Sequence, residues 1–211
     1  MDNTVARKHV DGSKTGQRSG DGLYARDGRR KYLNRDERRR ALAVTATLEP
    51  TKALFAQTLA WTGARVSEVL ALTPASFQIE RGVVAIVTLK RRRFSVREVP
   101  LPANLLAAIE VHFGIRAAQL DPLGCKCRLW EWHRTTAWRL IKDIMRRCNV
   151  VGRPASPRGF RHGFGVGALQ AKVPLNLVQR WLGHSRISTT AIYADAAGPE
   201  EIEFAGRFWS L

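Results

Sequence analysis

SPRGFRHGFG (residues 156–165), followed by RWLGHSRISTTAIYAD (residues 180–195), sets Arg158, Arg161, His184 and Tyr193 in order along the chain. Pro157 suits the first turn of a helix, so Arg158 and Arg161 fall early in that helix. A cation there opposes the positive end of the helix dipole. A phosphate at the same place reverses the balance, because free helix N–H groups and guanidinium forks both bind it. Farther upstream, TGARVSEVL places Arg65 at or near the start of another short helix, and TLKRRR supplies Lys90. A single arginine is ordinarily a solvated surface residue. Three arginines in this setting, with a lysine, a histidine and a tyrosine, read as a cationic pocket around a nucleophile. Such a pocket suits chemistry on a phosphodiester with no metal or cofactor.

Glu68 follows Arg65 by three residues, on the same helical face, where a carboxylate holds a guanidinium in one orientation or forms a solvated pair worth a few tenths of a kcal/mol. Lys90 ends a Val-rich strand and opens a basic run through Arg93. Lysine suits general-acid work because burial and nearby cations lower its pKa readily. Tyr193 lies off the apolar stripe defined by Ile187 and Ala191. Its phenol, with an ordinary pKa near 10, needs surrounding cations to lower that value and align the oxygen. His162 is expected to support the site, hydrogen-bonded as core histidines usually are.

The charge agrees. Lys and Arg number 35 against 18 Asp and Glu among 211 residues, a net charge of +17, which points to a polyanion partner. No apolar run approaches the roughly 20 residues of a membrane span, and the N-terminus lacks the apolar core of a secretory signal. Cys125, Cys127 and Cys148 do not have zinc-ligand spacing, so reduced thiols and a cytoplasmic setting are expected.

Residues 1–32 read as a disordered basic arm and 33–211 as one domain. Asn34 and Glu37 form a capping box for the first helix. A second helix runs from about Pro50 to Trp61 and breaks at Thr62-Gly63. Val83, Val84, Ile86 and Val87, then Phe94, Val96 and Val99, read as a β-hairpin. Helices return at about 102–113 and 133–148, and two or three more follow Pro157. The class is mainly α with a small antiparallel β-sheet. Gly163, Gly165 and Gly167 weaken a helix by up to about 1 kcal/mol each, which close packing against a neighbour would explain.

Together, TGARVSE with Arg65, Lys90 on the hairpin, RGFRH with Arg161, LGH with His184, and a tyrosine nine residues later resemble the tyrosine recombinase (phage integrase) family. The resemblance covers about residues 32–211 and implies that family's catalytic-domain fold. It also implies a site-specific recombinase acting on double-stranded DNA as a homotetramer on paired sites, with DNA-bending accessory proteins and no cofactor, nucleoid-associated when bound. Tyr193 would attack the phosphodiester to give a 3′-phosphotyrosyl link, and Lys90 would protonate the leaving 5′-oxygen. Arg65, Arg158, Arg161 and His184 would stabilise the phosphate, supported by Glu68 and His162. Two departures stand out. Arg158 occupies the family's histidine position; it keeps charge and donors but exchanges no proton near pH 7. A short basic arm also stands where most members carry a helical core-binding domain, as in the short recombinases of fimbrial switches. A type IB topoisomerase-like nicking-closing enzyme and a non-catalytic DNA-binding regulator remain open alternatives.

Overall fold

Helix α2 (Pro50–Thr62) is the centre of the molecule. Its sequence is apolar nearly all round, which suits burial on every side, and Leu54, Phe55, Ala56, Leu59 and Ala60 are buried. Pro50 opens it and Gly63 closes it in the left-handed conformation (φ 61°), the usual glycine stop. The structure, a computed structural model, describes residues 22–88, 95–195 and 199–210.

Around α2 pack α1 (Arg35–Thr45), α4 (Ala103–Phe113), α6 (Arg134–Arg147) and α7 (Pro157–Gln170). The Asn34–Glu37 capping box of α1 is present: Asn34 Oδ1 accepts from Glu37 N at 2.9 Å, and Glu37 Oε2 from Asn34 N at 3.1 Å. Glu37 also pairs with Arg30. Residues 22–32, expected to belong to the arm, are packed: Leu23 and Tyr32 are buried, and Tyr24 bridges Arg30 in antiparallel fashion. Two buried apolar side chains at its ends give this stretch a hydrophobic reason to fold back. The remainder of the proposed arm lies outside the described residues.

The short helix α3 (Val66–Val69) leads to a three-stranded antiparallel sheet of β1 (Phe77–Gln78), β2 (Val83–Val87) and β3 (Val96–Pro100). The hairpin was expected; the edge strand β1 was not, because two residues carry no periodicity to read. Register pairs Val84 with Val99 and Ile86 with Arg97. Helix α5 (Ile115–Gln119) follows α4, with Gly114 in the left-handed conformation between them (φ 59°).

After α7 come α8 (Leu175–Leu182), α9 (Ser188–Ala191), a 3₁₀ turn over Ile192–Asp195 and α10 (Pro199–Trp209). A large core gathers α2, the inner faces of α4 and α6, and the sheet. A second, smaller cluster joins Leu23 and Tyr32 to Phe164, Val166, Val178, Leu182 and Tyr193. Among the described residues, no helix is long and apolar enough to cross a membrane.

Candidate active site

The Arg65 segment, α7 and the turn after α8 converge on Tyr193. Gly63 turns the chain out of α2 and delivers Arg65 as the residue before α3. The Glu68 carboxylate reaches back to it: Oε2 accepts from Arg65 N at 2.9 Å and Oε1 from its guanidinium at 2.8 Å. The orienting role expected of Glu68 thus has its geometry. Glu68 is fully buried whereas the Arg65 side chain keeps 31% exposure, so the guanidinium is held from behind and open in front.

Arg161 lies on the inner face of α7 and is 9% exposed. Its two terminal nitrogens donate to Gly63 O and Leu182 O, both at 2.7 Å. No carboxylate pairs with it among the described residues. Burial, and then the Arg65 charge, pull its pKa down to about 10, so it stays cationic near neutral pH. A guanidinium has five donors, and these tethers occupy two of them.

His184 follows the left-handed Gly183 (φ 68°) that ends α8. Its Nδ1 is 2.9 Å from the hydroxyl of buried Thr190, and its ring stacks on Tyr193 with centroids 6.2 Å apart and planes 13° off parallel. Burial, and then Arg161 and Arg65, lower its pKa to about 3. The imidazole is therefore neutral and adds hydrogen-bonding capacity rather than charge to the pocket.

Tyr193 is 1% exposed, although sequence periodicity put it off the apolar face. The 3₁₀ turn after α9 breaks the helical phase and swings the ring inward. Its pKa is raised, not lowered as expected: burial outweighs the opposing charges of Arg161 and Arg65. Gly165 makes the room. A β-carbon there would lie 2.7 Å from three atoms of the phenol ring. The neighbouring Gly163 faces the Leu33 carbonyl at 2.8 Å by the same measure, whereas Gly167 meets nothing closer than Arg38 at 3.7 Å. Packing therefore explains two of the three glycines.

His162 sits beside Tyr193, with ring centroids 5.8 Å apart. Its pKa falls to about 4 through burial, then Arg158 and Arg161. The hydrogen bond expected for it is not made at Nδ1, a buried atom with no partner among the described residues. Arg158, in the first turn of α7, is exposed and acts on His162 through its charge. Lys90 lies outside the described residues.

Sequence reading missed Arg97. It is buried in β3, and its Nη2 donates to Glu68 Oε2 at 2.7 Å. Alternation carries the signal: Val96 and Val99 are an odd number of residues apart and cannot share a strand face, so Arg97 shares the inner face with Val99.

The fold is that of a tyrosine recombinase/integrase catalytic domain. The sequence agrees with the fold. The Phage integrase family model matches residues 31–199, and the chain belongs to that family. Tyrosine recombinase XerD of Yersinia pestis is 32% identical over 142 residues, 64% of this chain and 46% of that protein. Tyrosine recombinase XerA of Thermococcus onnurineus (strain NA1) is 30% identical over 77% of this chain and 57% of its own length. The crystal structure of XerH site-specific recombinase bound to palindromic difH substrate, a post-cleavage complex, superposes with a TM-score of 0.70 at 22% identity, covering 92% of this chain and 56% of that one. The chain thus spans about half the length of the curated relatives it matches.

Proposed function

We propose that this chain carries the catalytic domain of a site-specific DNA recombinase that cleaves and rejoins double-stranded DNA through a 3′-phosphotyrosyl intermediate. The observation that carries the reading is Arg161. A buried cation ordinarily needs a close counter-charge, since desolvation costs several kcal/mol per ion. Here two carbonyls hold it, no carboxylate pairs with it among the described residues, and Arg65 and Tyr193 lie beside it. A phosphodiester supplies the missing anion.

In this reading Arg65 and Arg161 hold the two non-bridging oxygens and stabilise the charge that grows on them. The Tyr193 oxygen attacks phosphorus and releases its proton to solvent, the bond to the 5′-oxygen breaks, and Lys90 protonates that oxygen. Attack by a 5′-hydroxyl reverses the step and conserves the bond energy. Neutral His184 serves as a hydrogen-bonding group. Arg158, exposed at the start of α7, contacts phosphate at the rim of the site. Because the phenol is buried, the segment 188–195 has to shift for attack, and the raised pKa keeps the nucleophile dormant until then.

Assembly as four protomers on two sites is part of the proposal, with bending proteins as accessories and the nucleoid as its location. The tail is consistent with assembly: α10 is held to the body by polar contacts of Glu203 with Arg35 and of Arg207 with the Gln170 carbonyl, while Phe208 and Trp209 are 74% and 72% exposed. A supercoiled plasmid bearing two copies of the natural site is the test. Inversion or excision that depends on both sites is expected. Relaxation with no site requirement would instead mean a nicking-closing enzyme, and binding with neither outcome a regulator.

A further inference from the structure

We propose that Arg97 is a positioning residue that sets the Arg65 guanidinium through their shared partner, Glu68. Among the described residues, acceptors from three parts of the chain hold its fork. Nε donates to Trp181 O in the last turn of α8 at 2.7 Å, Nη1 to Thr88 Oγ1 at the end of β2 at 2.9 Å, and Nη2 to Glu68 Oε2 at 2.7 Å. Gly183 closes over it: a β-carbon there would lie 3.1 to 3.2 Å from the Arg97 side chain. The clamped side chain is 3% exposed, against 31% for Arg65.

The consequence runs through charge. Burial pushes the Glu68 carboxyl toward its neutral form, and Arg97 is the foremost influence holding it ionised, ahead of Arg65. With Arg97 in place, the buried carboxylate is neutralised from behind and grips Arg65 at its free oxygen. Without it, Arg65 becomes, among the described residues, the sole ion-pair partner of a buried anion, and its guanidinium is drawn inward from the open face. Lysine cannot substitute, because a point charge does not span three acceptors set by a planar fork.

The inference rests on the assignment of Arg65 to the phosphate. A double-mutant cycle on single-turnover cleavage of a suicide DNA substrate separates the two claims. Arg65→Ala is expected to slow cleavage by about 10²–10³, which leaves a measurable rate. Arg97→Lys in the parent is expected to slow cleavage at least about tenfold with DNA affinity within about threefold; added to Arg65→Ala it changes the rate by less than about threefold. An unaltered rate in Arg97→Lys, or the same loss in both backgrounds, overturns the inference and makes Arg97 a strut only. An unaltered rate in Arg65→Ala instead overturns the phosphate assignment. Should Arg97→Lys not fold, the pair Glu68→Gln with Arg97→Met leaves no buried charge unpaired, and the same comparison across the Arg65 backgrounds decides.

Discussion

Arg161 and Gly165 lie one helical turn apart on α7 and serve the site in opposite ways, one by what it presents and the other by what it lacks. Arg161→Ala removes a preorganised donor, and its cleavage rate is expected to fall by about 10²–10³ while DNA affinity in a gel-shift assay falls only slightly. Gly165→Ala reverses the usual helix preference. Alanine in a helix is ordinarily favoured by up to about 1 kcal/mol, but its methyl group would sit 2.7 Å from the Tyr193 ring. The variant is expected to lose roughly 1–3 kcal/mol in urea denaturation and to displace Tyr193. A neutral or stabilising result contradicts the packing described. At this scale the grouping of Arg65, Arg161, His184 and Tyr193 was legible from their types and spacing, and the structure brings the four together. Arg97 was hidden by its company: in a basic chain one more arginine on a hairpin looks like surface, and only strand alternation betrays it.

The elements α7 and the turn after α8 each hold a half-buried imidazole in a cationic setting, and this gives the fold a pH dependence. His184 and His162 have folded pKa values near 3 and 4, below the unfolded value of 6.5. As pH falls through 6.5 the unfolded chain takes up protons that the native chain refuses, so stability is full above 6.5 and declines as pH falls toward the folded values. Buried Glu37 and Glu68 have lowered values and act below the ordinary carboxylate range, so the window from pH 7 to 5 belongs to the histidines. Denaturation midpoints are expected to drop across that window, and His162→Asn combined with His184→Asn to flatten the slope. An unchanged slope contradicts the neutral state of the two rings. The helices and the hairpin were readable from caps, breakers and β-branched runs. Strand β1 and helix α5 were not: each is short and held by tertiary contacts, as where Gln119 donates to the carbonyls of Pro74 and Phe77.

Across the whole molecule, the two apolar clusters divide the work. The larger secures α2 and the sheet, which fix Arg65 and Arg97; the smaller holds Tyr193 in reserve beside α7. Sequence patterning foretold the class of fold but not that Tyr193 would be inside, since the 3₁₀ turn over Ile192–Asp195 changes the helical phase there. Tyr193 is proposed as the nucleophile at phosphorus, and trapping measures this most directly. Wild-type protein incubated with a nicked suicide substrate is expected to give a covalent protein–DNA adduct on a denaturing gel, with the link mapping by proteolysis and mass spectrometry to Tyr193. Tyr193→Phe is expected to bind the same DNA and give none. An adduct that persists in Tyr193→Phe, or one that maps elsewhere, contradicts the account.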